Sequence, residues 1–261
     1  MADPLVTLTT DFGDDSTYVA ALKGVLLGVN PAVRILDLNH TLPPQGLRAT
    51  AVFLTEALPW FPPGTTHVVV VDPGVGTQRA VLCVEWAGSR IIVPDNGCWT
   101  PILRPGDPDP VVHRLTESKY WRPTVSSTFH GRDVMAPAAG HLTLGVEPAA
   151  LGPRMDRWVR LELPRAKVTA HEVRGEVLEV DRFGNLISNV PVAALPAGGR
   201  EYAVRVDDQL VGLKVRTYAE ATPGTLVALT SSNGMLEIAV AQGSAAKRLR
   251  AEVGTQVVVS F

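Results

Sequence analysis

Apolar and polar positions along the first 165 residues repeat with two periods in turn. Leu5-Val6-Thr7-Leu8-Thr9 is β-branched and apolar, and reads as a strand. After it, Tyr18, Val19, Leu22, Val25, Leu26 and Val29 recur at helical spacing, with Ser16 placed as N-cap and Pro31 just past the end. Residues 33–38 read as a second strand and 47–60 as a second helix, closed by Pro62-Pro63-Gly64. Thr66-His67-Val68-Val69-Val70-Val71 reads as a strand, a run typical of parallel sheets buried on both faces. Residues 80–86 and 90–93 flank Ala87-Gly88-Ser89 and predict a β-hairpin, and the apolar stretch 134–144 predicts a helix opened by His130. Strand, helix, strand, helix, strand in this order predicts an α/β layer fold with parallel strands.

From about Lys167 the period shortens. Residues 175–180, 186–189, 202–206, 226–230, 236–240 and 257–261 read as closely spaced strands, and only 245–251 reads as helix. Many short strands with turn signals predict a small β-barrel or sandwich. The reading is therefore two domains, 1–165 and 168–261, with the boundary at Pro164-Arg165-Ala166.

Composition narrows the function classes. The chain has 261 residues, 46% hydrophobic and 19% charged, with a formal net charge of −2. Disorder needs low hydrophobicity and high net charge, so it is excluded. A pI near 6.3 leaves no basic surplus for a nucleic-acid footprint. No apolar run reaches a membrane span, and Met1-Ala2-Asp3-Pro4 is no signal peptide. Cys83 and Cys98 offer neither a disulfide framework nor metal-ligand spacing, and the histidines share none, so the expectation is a cytoplasmic protein without a metal.

Four polar clusters interrupt apolar sequence where strands should end. Asp11 follows the first strand, at the edge where open α/β sheets bind ligands. It either accepts from sugar hydroxyls or closes the strand and caps the next helix. Asp72-Pro73-Gly74-Val75-Gly76-Thr77-Gln78-Arg79 follows the most buried strand. Its partial Gly-x-Gly precedes a strand rather than a helix, so it is no dinucleotide fingerprint; a ligand loop and a tight turn with an Asp–Arg pair both remain open. Ser126-Ser127-Thr128-Phe129-His130-Gly131-Arg132-Asp133 enters a helix whose N-terminus favours negative charge. In the β-rich half, Asp181-Arg182-Phe183-Gly184-Asn185 and Ser231-Ser232-Asn233-Gly234 serve equally as hairpin turns or, with an aromatic beside an amide, as an adenine site.

Taken together and in order, these segments resemble the adenosine-forming S-adenosyl-L-methionine hydrolases, or SAM hydroxide adenosyltransferases, which are relatives of the fluorinase and chlorinase. The residues that carry the resemblance are Thr9-Thr10-Asp11-Phe12-Gly13, Lys23-Gly24, Asp72 to Thr77 with Arg79, Pro94-Asp95-Asn96-Gly97, Thr128 to Asp133, Asp181 with Phe183-Gly184-Asn185, and Ser232-Asn233-Gly234. The resemblance implies an N-terminal α/β domain, a smaller C-terminal β-barrel, and a homotrimer whose sites are shared between neighbours. Asp72, Arg79 and His130 match the family's catalytic set. Asp11 is then a ribose ligand, Phe183 and Asn185 adenine ligands, and Asp181, Ser232 and Asn233 methionine ligands; Asp72, Gly131, Glu237 and Val240 line the same pocket. The implied substrate is S-adenosylmethionine, with no further cofactor and no nucleic-acid or membrane partner. The halogenases lack the Asp–Arg–His set. Gln45 stands where they carry an aromatic over the ribose, and Asn233 where they carry an arginine.

Overall fold

The computed structural model describes residues 4–196 and 201–261. Met1-Ala2-Asp3, read above as no signal peptide, lie outside the described residues. The chain divides into two compact units, Met1–Glu162 and Leu163–Phe261.

The first unit holds β1 (Leu5–Thr10), α1 (Thr17–Val29), β2 (Arg34–Asn39), α2 (Leu47–Ala57), β3 (Thr66–Val70), β4 (Val81–Trp86), β5 (Ser89–Pro94), β6 (Val111–Arg114) and α3 (Ala136–Thr143). Its sheet runs β2-β1-β3-β5-β4-β6. The first four strands are parallel neighbours, and β4 and β6 extend the sheet antiparallel. Every residue of β3 is buried. Val68 and Val70 face α1 and α3 with Leu22, Leu26 and Ala139, whereas Val69 faces the opposite side with Leu54 of α2. Period-2 alternation thus serves two buried faces, which is why the valines of β3 follow one another without polar alternation.

Local signals explain the element ends. The Ser16 hydroxyl caps α1 by accepting from the Tyr18 N–H. Ala87 and Gly88 both have positive φ, as a two-residue hairpin turn demands. The second helix stops at Ala57, short of the expected Trp60, and continues as a 3₁₀ turn at Leu58–Trp60 because Pro59 has no N–H to donate. The edge strand β6 was not visible in the sequence pattern.

The second unit is a coiled, almost wholly antiparallel sheet. It comprises β7 (Lys167–Val168), β8 (Glu172–Val180), β9 (Leu186–Pro191), β10 (Ala203–Val206), β11 (Gln209–Val211), β12 (Leu213–Lys214), β13 (Leu226–Thr230), β14 (Met235–Val240) and β15 (Gln256–Ser260), with α4 (Ala245–Leu249). The order is β11-β10-β15-β8-β9-β14-β13-β12, with β7 on β8. Val204, Val257, Val177, Leu186, Ile238 and Ala228, from six of these strands, close on one core. One core enclosed by a single curved sheet is barrel architecture. The long β8 takes part in both halves of it, bending at a bulge between Val177 and Glu179.

His67 on β3 is buried, and its Nδ1 lies 2.7 Å from the Thr7 hydroxyl while Nε2 has no partner. Burial pushes its pKa from 6.5 down to about 4. Unfolding therefore takes up a proton between those values, so stability is fully present above pH ~6.5 and declines as pH falls toward 4, by on the order of 3 kcal/mol. His67→Phe should flatten that part of the pH dependence of the urea midpoint; parallel profiles for variant and wild type would contradict this account.

Candidate active site

Strand β1 has β2 on one side and β3 on the other, so the chain leaves its two central strands in opposite directions. In open α/β sheets ligands bind at the carboxyl ends of the strands that flank such a switch point, here β1 and β3. The register pairs Thr10 with Val70, which places Asp11 and Asp72 just beyond adjacent strand ends.

From Asp72 the chain folds back on itself. Val75 N–H donates to the Asp72 carbonyl, and Thr77 N–H and hydroxyl both donate to the Gly74 carbonyl. These turns return Arg79 to Asp72: Arg79 Nε donates to Asp72 Oδ1 at 2.9 Å, and Nη2 donates to Oδ2. Both side chains are nearly buried, at 10% and 6% exposure. A bidentate guanidinium–carboxylate pair of this kind is rigid as well as strong. Gly76 has φ +79°, and a Cβ there would sit 2.2 Å from the Ser127 carbonyl oxygen. The loop therefore lies directly against the segment that carries His130.

Asp133 holds that segment. Its buried carboxylate takes two hydrogen bonds from Arg132 and one from the Ser126 N–H. Gly131 opens one turn of π-helix, Gly131–Met135, ahead of α3, and a Cβ on it would lie 2.8 Å from Val70 Cγ1. Glycine lets the turn approach β3 closely enough for His130 Nδ1 to stand 3.0 Å from Arg79 Nη2. Arginine can only donate, so Nδ1 accepts and the neutral ring carries its proton on Nε2. Burial, then the Arg79 charge, hold the His130 pKa below the ordinary imidazole value.

Asp11 lies in the same unit, with Oδ2 accepting from the Gln45 N–H at 2.7 Å. Pro94-Asp95-Asn96-Gly97 is a brace: Asn96 Nδ2 donates to the Val71 carbonyl at the end of β3, and Asp95 accepts from Val159 N–H.

The remaining sequence-derived residues lie in the second unit. Asp181 accepts from Phe183 N–H, Asn185 N–H and Asn185 Nδ2, which organises the β8–β9 turn and leaves Phe183 79% exposed. Ser232 and Asn233 form the β13–β14 turn, where Asn233 Oδ1 accepts from Met235 N–H. Glu237 is buried in β14 and accepts from the Tyr218 hydroxyl at 2.6 Å. Burial, with Asp181 nearby, raises the Glu237 pKa, while burial and the Glu237 bond push Tyr218 up to about 12. Tyr218 was missed in the sequence, having no motif around it. Val240 packs its side chain into the barrel core, and its carbonyl accepts from Gly243 N–H. Antiparallel pairing of Met235 with Pro191 and of Ile238 with Leu186 puts the two turns at opposite ends of the β9–β14 pair.

Comparison with known proteins bears on this arrangement. Family models for the SAM hydroxide adenosyltransferase N-terminal and C-terminal domains match residues 6–152 and 175–258. The chain belongs to the SAM hydroxide adenosyltransferase family. Within it, a Thermus thermophilus protein named (R)-S-adenosyl-L-methionine hydrolase is 40% identical, over 97% of this chain and 98% of its own. A Salinispora tropica protein of the same name is 34% identical, over 98% of each chain. A Nocardia brasiliensis fluorinase is 28% identical, over 98% of this chain and 97% of its own. The crystal structure of an uncharacterized conserved protein from Thermotoga maritima superposes with a TM-score of 0.90 at 30% identity, covering 98% of this chain and all of that one. Among the described residues no cluster of His, Cys, Asp or Glu is suited to a metal, and no helix is long and apolar enough to cross a membrane.

Removing the Arg79 charge should raise the His130 pKa toward its ordinary value. In a histidine NMR titration, wild-type His130 is expected to titrate below 6.5 with Nε2 protonated when neutral, and Arg79→Met should shift the midpoint upward. A downward shift would contradict the assigned geometry.

Proposed function

We propose that the protein hydrolyses S-adenosyl-L-methionine to adenosine and L-methionine, by in-line attack of a hydroxide-like water on the ribose C5′. The observation that carries this reading is the Asp72–Arg79–His130 array at a sheet switch point. The names of the hydrolase relatives support the same substrate, and suggest the (R)-sulfonium epimer.

The chemistry asks little of a general acid, because methionine departs as a neutral thioether. It asks instead for an oxygen nucleophile held in line with the C5′–S bond, away from bulk water. In the proposed site the bound water gives up its proton to solvent, Arg79 and the His130 Nε2–H stabilise the hydroxide that remains and attacks, and Asp72 fixes the guanidinium. A neutral His130 with Nδ1 engaged by Arg79 acts as a donor to the nucleophile rather than as its base. Asp11 takes the ribose hydroxyls. Phe183 and Asn185 take the adenine, and Asp181, Ser232 and Asn233 the methionine amino and carboxylate groups. Glu237, Gly131 and the Val240 backbone complete the lining.

These two sets of residues lie in separate compact units. We therefore propose a homotrimer in which one chain's first unit and a neighbour's second unit share each site, as head-to-tail cyclic symmetry permits. Two free buried cysteines fit a reducing cytoplasmic setting. No cofactor enters the scheme.

The deciding experiment incubates pure protein with each sulfonium epimer, with and without halide and after exhaustive chelation. Adenosine and methionine are expected in every arm containing the productive epimer; a 5′-halo-5′-deoxyadenosine product would move the protein to the halogenases. His130→Ala and Arg79→Ala should each lower turnover about 10²–10⁴-fold with adenosine affinity nearly unchanged, and the double variant should cost far less than the product of the two. Near-normal hydrolysis by either would sink the mechanism.

A further inference from the structure

Four polar side chains beside Asp11 take no part in the scheme above. Lys23 Nζ on α1 donates to Asp37 Oδ2 on β2 at 2.5 Å. Asp37 Oδ1 lies 3.0 Å from His40 Nε2, a close electrostatic contact rather than an aligned hydrogen bond. His40 Nδ1 is 2.9 Å from the Thr10 hydroxyl, and Thr10 Oγ1 accepts from the Phe12 N–H at 3.2 Å. Finally, the His40 carbonyl accepts from the Gly13 N–H at 2.7 Å. His40 and Thr10 are buried, whereas Lys23 and Asp37 are about one-third exposed or more.

The polarity of the chain is consistent throughout. A carboxylate at Nε2 favours a proton there, which leaves Nδ1 to accept from the Thr10 hydroxyl and frees the Thr10 lone pairs for Phe12. The backbone N–H groups on the C-terminal side of Asp11, at 12 and 13, are thus both tied to this network. On the other side of the loop, the Phe12 ring is wedged against Tyr18 and Phe129. Two backbone ties and one ring leave Asp11 little freedom, and the Gln45 N–H occupies one of its oxygens.

We propose that Lys23, Asp37, His40 and Thr10 form a positioning relay that holds the 11–13 loop so that the free oxygen of Asp11 meets the ribose hydroxyls. This rests on the ribose reading of Asp11 and deepens it: nucleoside affinity is set one layer behind the residue that touches the sugar. Thr10→Val keeps shape and burial while deleting the hydroxyl; Thr10→Ser restores it. His40→Leu removes the middle of the relay, and His40→Asn keeps an acceptor near the Nδ1 position.

The experiment measures adenosine Kd by calorimetry together with KM and kcat on S-adenosylmethionine, with Asp11→Asn as the reference. Thr10→Val and His40→Leu should weaken adenosine binding and raise KM roughly 10-fold, the scale of one positioned hydrogen bond, with kcat within about twofold. Thr10→Ser and His40→Asn should lie close to wild type. Wild-type adenosine affinity in Thr10→Val, a fall in kcat at constant KM, or a Thr10→Ser as weak as Thr10→Val would overturn the relay. If Asp11→Asn itself binds adenosine normally, the ribose reading fails and the relay with it; a weak Asp11→Asn beside an unaffected Thr10→Val removes the relay alone.

Discussion

A guanidinium held by two hydrogen bonds against a buried carboxylate is the contact on which the rest of the first unit's geometry turns. Neither charge is tolerable alone at that depth, since deleting one partner leaves the other desolvated and unpaired. The pair therefore demands that the 72–79 loop close on itself, and the loop's glycines are what permit it. It also demands a strand that delivers Asp72 to the same place every time. Complete burial of β3, between α1 and α3 on one face and α2 on the other, supplies that rigidity. His130 is then aligned by the spare N–H of Arg79, and its tautomer follows from arginine's inability to accept.

Under the proposed function the two compact units divide the chemistry by the kind of order each provides. A mostly parallel sheet offers one edge where strand ends converge, which suits several short polar side chains that must meet at a single reacting atom. An antiparallel barrel offers hairpin turns that present side chains outward from the core. Asp181 illustrates the second case. Three hydrogen bonds accepted by its carboxylate organise the turn that presents the exposed Phe183 ring.

Much of this was legible in the sequence, and the failures have physical causes. The strand at 66–71, the Ser16 cap and the hairpin at Ala87-Gly88 obey local rules and were readable as such. The 3₁₀ end of the second helix needed the weight of Pro59 against an apolar period that continued past it. Strands β6, β7, β11 and β12 are edge or very short elements, set by pairing with neighbours rather than by pattern. In the site, motif order exposed Asp72, Arg79 and His130, but it carried no sign of Tyr218, whose partner Glu237 is 19 residues away. Nor did it single out His40 or Asp37, because a relay is defined by distances across strands that spacing along the chain does not encode. Pro94-Asp95-Asn96-Gly97 shows the converse, a segment that carries the resemblance and serves as a brace.

Charge accounting ties the array to the reaction proposed for it. Asp72 cancels Arg79, and His130 is held neutral by burial and by the guanidinium beside it, so the three side chains together carry no net charge at neutral pH. A hydroxide arriving there makes the set negative, while the sulfonium substrate brings one positive charge. Attack joins the two and destroys both charges, yielding a neutral alcohol and a neutral thioether. Reactions that annihilate charge are favoured by a low-dielectric surrounding, which strengthens the attraction between the partners and asks for no solvent to stabilise the products. A protonated His130 would instead add a cation facing a cationic substrate. In the proposed reaction the guanidinium, which with burial lowers the histidine's pKa, thus does two things at once: it lends a donor to the nucleophile and keeps a second positive charge out of the sulfonium's path.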